Sequence, residues 1–305
     1  MRIVLSRLLC NAARQDSRLY ILSGDHGYAL FDEVRRERPH QFINVGVCEQ
    51  AMIGYASGMM KVGLRTIVYG LSAFIPIRVL EQIKLDLCLS GRPAILLGDG
   101  GGVVYTTLGA SHQCAEDIAA LRPLANITIY SPCDRFELET CFEEALTADR
   151  PVYIRIGKSD RPSVHNAKPM HSGIHTIHSG KATSVALVAT GSMASIALEI
   201  ARTAGVCAYS VSRIKPLDDL GDLKHYRHLI VIEEHSKYGG LFSTLSELIT
   251  QDLACQTKLT SLSLSERYAE KCGSYQYALS EHRMSDADLL ERVTSRISEL
   301  GNVSS

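Results

Sequence analysis

Phe42-Ile43-Asn44-Val45-Gly46-Val47-Cys48-Glu49-Gln50-Ala51-Met52-Ile53-Gly54-Tyr55-Ala56 is the stretch whose reading decides the fold. An apolar strand runs into a glycine turn, and a single carboxylate then opens an apolar helix. Open α/β sheets bind ligands outside the carboxyl ends of their strands, and Glu49 is placed to point there. A carboxylate in a first helical turn also complements the helix dipole, so an isolated Glu here would need no other reason. The rest of the chain supplies one.

Outward from this segment the same unit repeats. Short apolar runs at 19–23, 66–69, 94–97, 127–130 and 152–156 read as strands. Helical patterns cover 49–62, 75–89 and 135–148, the first with Met52, Tyr55, Ala56, Met59 and Met60 on one face and Gly63 after it. Strands alternating with helices imply a mostly parallel sheet covered on both faces. From Lys158 to Thr183 the pattern lapses; His165, His171, His175 and His178 lie there among Ser, Pro, Gly and Lys, without helical or hairpin spacing. They read as a solvated linker and not as a metal site. Runs at 185–189, 207–211, 229–232 and 259–264 resume the alternation. The fold class is α/β, two doubly wound domains with mostly parallel sheets. The expected boundaries are 1–160, a linker over 161–183, and 184–305.

Composition fits this reading. The 305 residues suffice for two cores. Hydrophobic content of 46% and charged content of 21% are ordinary for a globular protein. A net charge of −1 gives bulk electrostatics no hold on nucleic acid or a membrane surface. No apolar run reaches the length of a membrane span. Arg7 interrupts the apolar N-terminus, which reads as an amphipathic helix and not as a signal peptide. The nine cysteines are scattered, with no CxxC pair, as expected of reduced thiols in a cytoplasmic protein.

Further motifs lie in a fixed order around Glu49. They are Ser23-Gly-Asp25-His26, Phe74 within Tyr69-Gly-Leu-Ser-Ala-Phe74-Ile-Pro76, Gly109-Ala-Ser111-His112-Gln113, Ser131-Pro-Cys-Asp134 and Glu233-Glu-His235. In that order and spacing the chain resembles the C-terminal half of thiamine-diphosphate transketolases, and more loosely the 1-deoxyxylulose-5-phosphate synthases. The resemblance runs over nearly all of residues 1–300, and its specificity lies in collinearity, not in any one motif.

What the resemblance implies can be set down residue by residue. The first domain is the pyrimidine-binding domain of thiamine enzymes, the second the transketolase C-terminal domain. Glu49 matches the activating carboxyl that shares a proton with the aminopyrimidine ring, which implies a dry setting and a raised pKa. Phe74 matches the aromatic that stacks on that ring, and Ile77 stands where many transketolases have a second aromatic. Asp25 matches an Asp near the cofactor at the dimer interface. His112 matches a substrate-facing histidine able to pass protons, and Ser111 keeps the hydroxyl of a Thr beside it. Lys158 stands in place of a phosphate-gripping Arg and lacks its fork. Leu108 replaces an acidic contact to a sugar hydroxyl, which puts ordinary sugar-phosphate specificity in doubt.

The resemblance also implies a division of labour. The domain that holds the diphosphate and Mg²⁺ is not matched here. Gly98-Asp99-Gly100 with Asn126 imitates its metal motif, yet collinearity places both in the pyrimidine domain, where a Gly-rich turn suffices. The chain is therefore expected to be one subunit of a split transketolase, sharing thiamine diphosphate with a partner that holds Mg²⁺, in a two-plus-two heterotetramer acting on small sugars or sugar phosphates. In the second domain Ser192 reads as a helix cap and His235 as structural. Two rival readings are the β subunit of an oxo-acid dehydrogenase first component and a non-catalytic scaffold.

Overall fold

The computed structural model describes residues 1–158 and 160–302. The chain opens with helix α1 (Arg2–Gln15), whose Leu5, Leu9, Cys10, Ala12 and Ala13 are buried. Strand β1 (Leu19–Ser23) follows, then helix α2 (Asp32–Glu37), β2 (Phe42–Asn44), α3 (Glu49–Lys61) and β3 (Arg65–Leu71). The short helix α4 (Leu80–Gln82) passes directly into a wider π-helical stretch, Ile83–Cys88. Then come β4 (Ile95–Asp99), α5 (Asp117–Leu121), β5 (Thr128–Tyr130), α6 (Arg135–Thr147) and β6 (Val152–Ile156).

Five of the six strands are largely apolar runs buried on both faces, as parallel sheets require; β2, at the sheet edge, is only half covered. They join in the order β5-β6-β4-β3-β1-β2, every pair parallel. The chain leaves β1 toward β2 on one side and returns to β3 on the other. The carboxyl ends of β1 and β3 therefore bound a crevice where strand order reverses, the usual ligand position of an open α/β sheet.

The second half contributes β7 (Ile174–His178), β8 (Ala182–Ala189), α7 (Met193–Ala204), β9 (Val206–Val211) and β10 (Arg213–Lys215). It continues with β11 (His228–Ser236), α8 (Leu241–Gln251), β12 (Lys258–Leu264), α9 (Tyr275–Glu281) and α10 (Asp286–Asn302). Its sheet runs β12-β11-β8-β9-β7, parallel except for β7. Both halves thus have the doubly wound, mostly parallel form expected of them.

Two strands escape the sequence pattern, and both are antiparallel. β7 lies inside the stretch expected as a linker over 161–183 and pairs with β9. Its alternation of Ile with His hides a strand that is only partly buried. β10 crosses over to the first sheet, where Arg213 and Lys215 pair with Tyr130 and Ile129 of β5. The histidines are not all solvated either. His165 is 12% exposed, its backbone and ring nitrogens reaching Asp134 Oδ2 at 2.9 and 3.2 Å. The same Asp134 caps α6 through its other oxygen, which accepts from the Phe136 and Glu137 N–H groups at 2.9 and 3.0 Å. The expected boundary at 305 lies outside the described residues.

The cores of the two sheets are continuous. Leu22, Met52 and Leu96 from one belong to the same buried cluster as Ala186, Val188 and Leu229 from the other. Where the two sheets meet, the reversal point of the second, at the ends of β8 and β11, is filled by protein. Arg155 and Asp117 are 2% and 0% exposed and pair at 2.9 Å. Tyr153 donates to Asp117 Oδ2 at 2.7 Å, and Arg155 donates to the Glu234 carbonyl at 2.9 Å.

Glu233 and His235 sit beside this pair with no exposure. Burial pushes the Glu233 carboxyl up to about 7, against the pull of the Phe242 and Leu241 N–H groups. Burial likewise pushes His235 down to about 4. The signs oppose. Glu233 stabilises the fold below its ordinary 4.5 and loses that contribution as pH rises toward 7; His235, ordinarily 6.5, costs stability as pH falls toward 4. Each is worth on the order of 3 kcal/mol at full effect, so together they flatten the profile. His235→Gln removes one slope. Relative to wild type, the variant is expected to gain resistance to urea at about pH 5 more than at about pH 7, since the other shifted histidines are common to both. A variant that follows wild type across that window contradicts this assignment.

Candidate functional site

Glu49 is the first residue of α3 and is 1% exposed. Gly46, at φ +73, turns the chain from β2 into that helix, and Asn44 Oδ1 accepts the Gly46 N–H at 2.9 Å. The carboxylate is brought to the reversal point of the first sheet. Its Oε1 lies 3.4 Å from His26 Nε2, and its Oε2 accepts from Arg78 at 2.8 Å. The Arg78 guanidinium covers the face of Phe74, 3.9 Å from the ring centroid. The His26 ring lies 5.6 Å from Phe74, and His112 meets Phe74 edge-on at 5.3 Å. Four segments, after β1, β2, β3 and β4, thus converge on one buried carboxylate and one aromatic face.

Sequence reasoning anticipated Glu49, Phe74 and His112 in this group. It missed Arg78 and passed over His26 in favour of Asp25. Asp25 is exposed, takes a left-handed backbone at φ +63, and accepts from Asn44 Nδ2 at 3.0 Å; the next residue, His26, is the one that reaches Glu49. Arg78 gave no helical-spacing signal: Phe74 lies in a turn after β3, and only Ile77–Val79 around Arg78 form a short 3-10 turn.

The raised pKa expected of Glu49 is not what the structure shows. Burial does push the carboxyl up, but its own backbone N–H, Arg78 and His26 together outweigh burial and hold it below the ordinary carboxylate range. The helix start and the guanidinium favour the charge more than dryness opposes it. Arg78→Met is therefore expected to move the Glu49 titration upward, read by infrared difference spectroscopy of the carboxylate band. An unmoved titration would show that Arg78 does not govern this proton.

The remaining sequence-derived residues surround the cluster. Ile77 is half-buried at the turn before Arg78. Ser111 Oγ lies 3.0 Å from His112 Nδ1, and Leu108 on the same loop is 52% exposed. Lys158 is not drawn into the ring group; it pairs with Asp160 at 2.8 Å and lies 5.5 Å from the Tyr275 ring centroid. Asp99 accepts from Tyr69 at 2.6 Å and Tyr105 at 3.0 Å at the carboxyl end of β4. Asn126 precedes β5, at the amino end of the strands and so at the opposite end of the sheet from Asp99. From the register of both strands on β6, about six residues at ~3.3 Å each separate Asp99 from Asn126, so they cannot share one ion. Ser192 does not cap α7 through its hydroxyl; that group donates to Glu234 Oε2 at 2.6 Å.

Comparison with known proteins gives this geometry a family. Residues 1–163 match the pyrimidine-binding domain of transketolase, and residues 176–270 match the transketolase C-terminal domain. The chain is 30% identical to an apulose-4-phosphate transketolase subunit of Phocaeicola vulgatus over 256 residues, 80% of this chain and 81% of that one. It is 29% identical to the 6-deoxy-6-sulfo-D-fructose transketolase subunit SqwH of a Clostridium species, over 86% of this chain and 84% of that one. The 1-deoxy-D-xylulose-5-phosphate synthase of Oleidesulfovibrio alaskensis is 31% identical over 81% of this chain, which spans 40% of that protein. A structure described as a split gene transketolase, inactive beta4 tetramer, superposes with a TM-score of 0.84 at 23% identity, covering 96% of both chains. The resemblance drawn from the motifs is borne out: the chain belongs to the transketolase family and spans its pyrimidine-binding and C-terminal domains.

Proposed function

We propose that this chain is the pyrimidine-side subunit of a two-part transketolase, moving a two-carbon ketol unit from a ketose to an aldose. The observation that carries the reading is the convergence of buried Glu49 on the Phe74 face, with His112 edge-on to the same ring. A carboxyl and an aromatic plane at the open end of a sheet fit an aminopyrimidine once the Arg78 guanidinium, 3.9 Å over the Phe74 ring, is displaced from it. Thiamine diphosphate, when bound, supplies the carbon nucleophile that side chains lack. Glu49 holds or releases a proton at the pyrimidine ring nitrogen, and Phe74 with Ile77 provides the apolar wall. Asp25 flanks the cofactor from the neighbouring loop. His112, its Nδ1 oriented by Ser111, hydrogen-bonds the substrate carbonyl. Lys158 offers a charge for phosphate once Asp160 is displaced.

The diphosphate and its Mg²⁺ fall to a partner subunit. Support for a partner comes from the surface beside Glu49. A groove of about 420 Å³ is lined by Leu22, Ile43, Val45, Gly54, Tyr55 and Met59, and Val47 and Tyr55 are 67% and 57% exposed. Apolar patches of this kind mark interfaces. A two-plus-two heterotetramer accords with it, and we place that assembly in the cytoplasm, serving carbohydrate metabolism. Among the described residues no helix is long and apolar enough to cross a membrane.

Substrate preference follows from Leu108. Removing one hydrogen bond to a substrate hydroxyl costs roughly 1–3 kcal/mol. Leu108→Asp in the assembled enzyme is expected to raise kcat/KM on xylulose 5-phosphate with ribose 5-phosphate about tenfold or more relative to less hydroxylated aldehydes. If the standard pair is already the best substrate and the variant gains nothing, the specificity argument fails. A synthase-like reading is favoured by the 31% identity to 1-deoxy-D-xylulose-5-phosphate synthase. Release of carbon dioxide from an oxo acid, in place of ketol transfer between sugars, would select it.

A further inference from the structure

The loop that carries Leu108, Ser111 and His112 begins and ends on one bridge. The Gly102 N–H donates to the Cys114 carbonyl at 2.7 Å, and the Cys114 N–H returns to the Gly102 carbonyl at 2.8 Å. Nothing in that bridge alone fixes where the loop points. Its foot is held from the other domain. Glu234, 1% exposed on β11, accepts the Val103 N–H on Oε1 at 2.8 Å. Its Oε2 accepts from the hydroxyls of Ser192 and Tyr275, both at 2.6 Å. Val103 itself is 2% exposed and packs among the core residues of the second sheet, with Leu187, Ala189 and Ile232. Further out, a side chain on Gly109 would lie 3.3 Å from Cys272 Sγ.

The glycines at the foot follow from this docking. A Cβ on Gly102, at φ +84, would fall 2.4 Å from Glu234 Oε1, and one on Gly101 would fall 2.6 Å from Arg155 Nε. The Gly-rich turn is the space that the Glu234 carboxylate and the Arg155 guanidinium require. Glu234 also stands at the reversal point of the second sheet, where an α/β domain ordinarily holds a ligand. The ligand of that crevice is a loop of the same chain.

We propose that Glu234 is a positioning residue for the transfer reaction, holding the Ser111–His112 loop at its foot from the C-terminal domain. It touches neither cofactor nor substrate. It acts through Val103, and a displacement of about 1 Å in a group facing substrate costs on the order of 10²-fold in rate. The inference rests on the reading of His112 as a substrate-facing group. Glu49 reaches its position through α3, with its carboxylate held by His26 and Arg78, neither of them on the 103–113 loop.

The test uses the enzyme assembled with its partner, comparing Glu234→Ala with Glu234→Gln. The glutamine keeps an acceptor for the Val103 N–H, while Ser192 and Tyr275 can turn their hydroxyls to accept from its amide. Expected for the alanine variant is a fall of about 10²-fold in kcat/KM for ketol transfer. C2 hydrogen–deuterium exchange of bound thiamine diphosphate, which depends on Glu49, is expected to stay within about twofold of wild type. Amide exchange across 103–113 is expected to quicken roughly tenfold or more, with 49–61 unchanged. The glutamine variant is expected to recover most of the transfer rate. Equal losses of transfer and C2 exchange, or unchanged protection of 103–113, overturn the proposal. His112→Ala separates the two readings: if it leaves transfer intact, the role given to His112 is wrong, while loosening of 103–113 in Glu234→Ala still reports the anchor.

Discussion

Glu49→Gln in the assembled enzyme is expected to slow C2 hydrogen–deuterium exchange of bound thiamine diphosphate by at least ~10²-fold, within the range of general acid–base catalysis. The amide occupies the same volume and can still hydrogen-bond a ring nitrogen, but it has no proton to exchange there. Binding of the cofactor and assembly with the partner are expected to change little, because the side chain's buried shape is kept. Arg78 gives the variant a second signature. Its guanidinium donates to Glu49 Oε2 at 2.8 Å while lying over Phe74; against a neutral amide that hydrogen bond keeps its charged donor but loses the charge on its acceptor. Wild-type exchange rates in the variant would remove Glu49 from the chemistry altogether.

Asp117→Ala is expected to be the most destabilising single change in the interdomain layer, by about 3–5 kcal/mol, because it leaves a buried cation unpaired. Arg155 is 2% exposed and has Asp117 as its carboxylate partner at 2.9 Å. Tyr153 loses its closer acceptor at the same time and keeps the Ser72 hydroxyl at 3.3 Å. The thermal midpoint is expected to fall by roughly 5–8 °C. Asp149→Ala is the control: Asp149 also pairs with an arginine, Arg150 at 3.0 Å, but is 82% exposed, and no measurable change is expected there. Comparable shifts in the two variants would mean that burial does not set the value of the inner pair. Because Asp117 braces Arg155, and Arg155 braces the Glu234 carbonyl and the foot of the 103–113 loop, the variant is also expected to lose transfer activity below its melting range.

Much of the fold was legible because parallel strands advertise themselves. Runs such as 94–97 are apolar throughout, since both faces are covered. The strands that went unread, β7 and β10, are short, antiparallel and at sheet edges, where half-burial tolerates histidine, arginine and lysine. The helix over 49–62 was legible by period, but its outward face was not. Tyr55 fits the apolar stripe by spacing and is nonetheless 57% exposed, because part of the stripe faces a groove instead of the core.

At the site, the residues named from motifs are those fixed by local chain geometry: Glu49 at a helix start, Phe74 after a strand, His112 in a glycine loop. What sequence could not give is who touches them. Arg78 reaches Glu49 across 29 positions, and its effect reverses the expected pKa shift. Glu234 reaches Val103 across 131 positions. Such pairings are products of packing between elements, and neither period nor propensity encodes them. The Gly98-Asp-Gly-Gly-Gly102 run shows the same limit. Read alone it imitates a metal motif; in the fold its last two glycines make room for Arg155 and Glu234.

The central claim is that this chain contributes the activating carboxyl of a two-part ketol-transferring enzyme. The most direct measurement follows a ¹³C-labelled two-carbon unit from a ketose donor to an aldose acceptor, with thiamine diphosphate and Mg²⁺ present. It compares the purified chain alone, a partner chain that carries the diphosphate domain alone, the two mixed, and the mixture made with Glu49→Gln. The account predicts label transfer only in the wild-type mixture. Transfer by the purified chain alone, or undiminished transfer with Glu49→Gln, would contradict it.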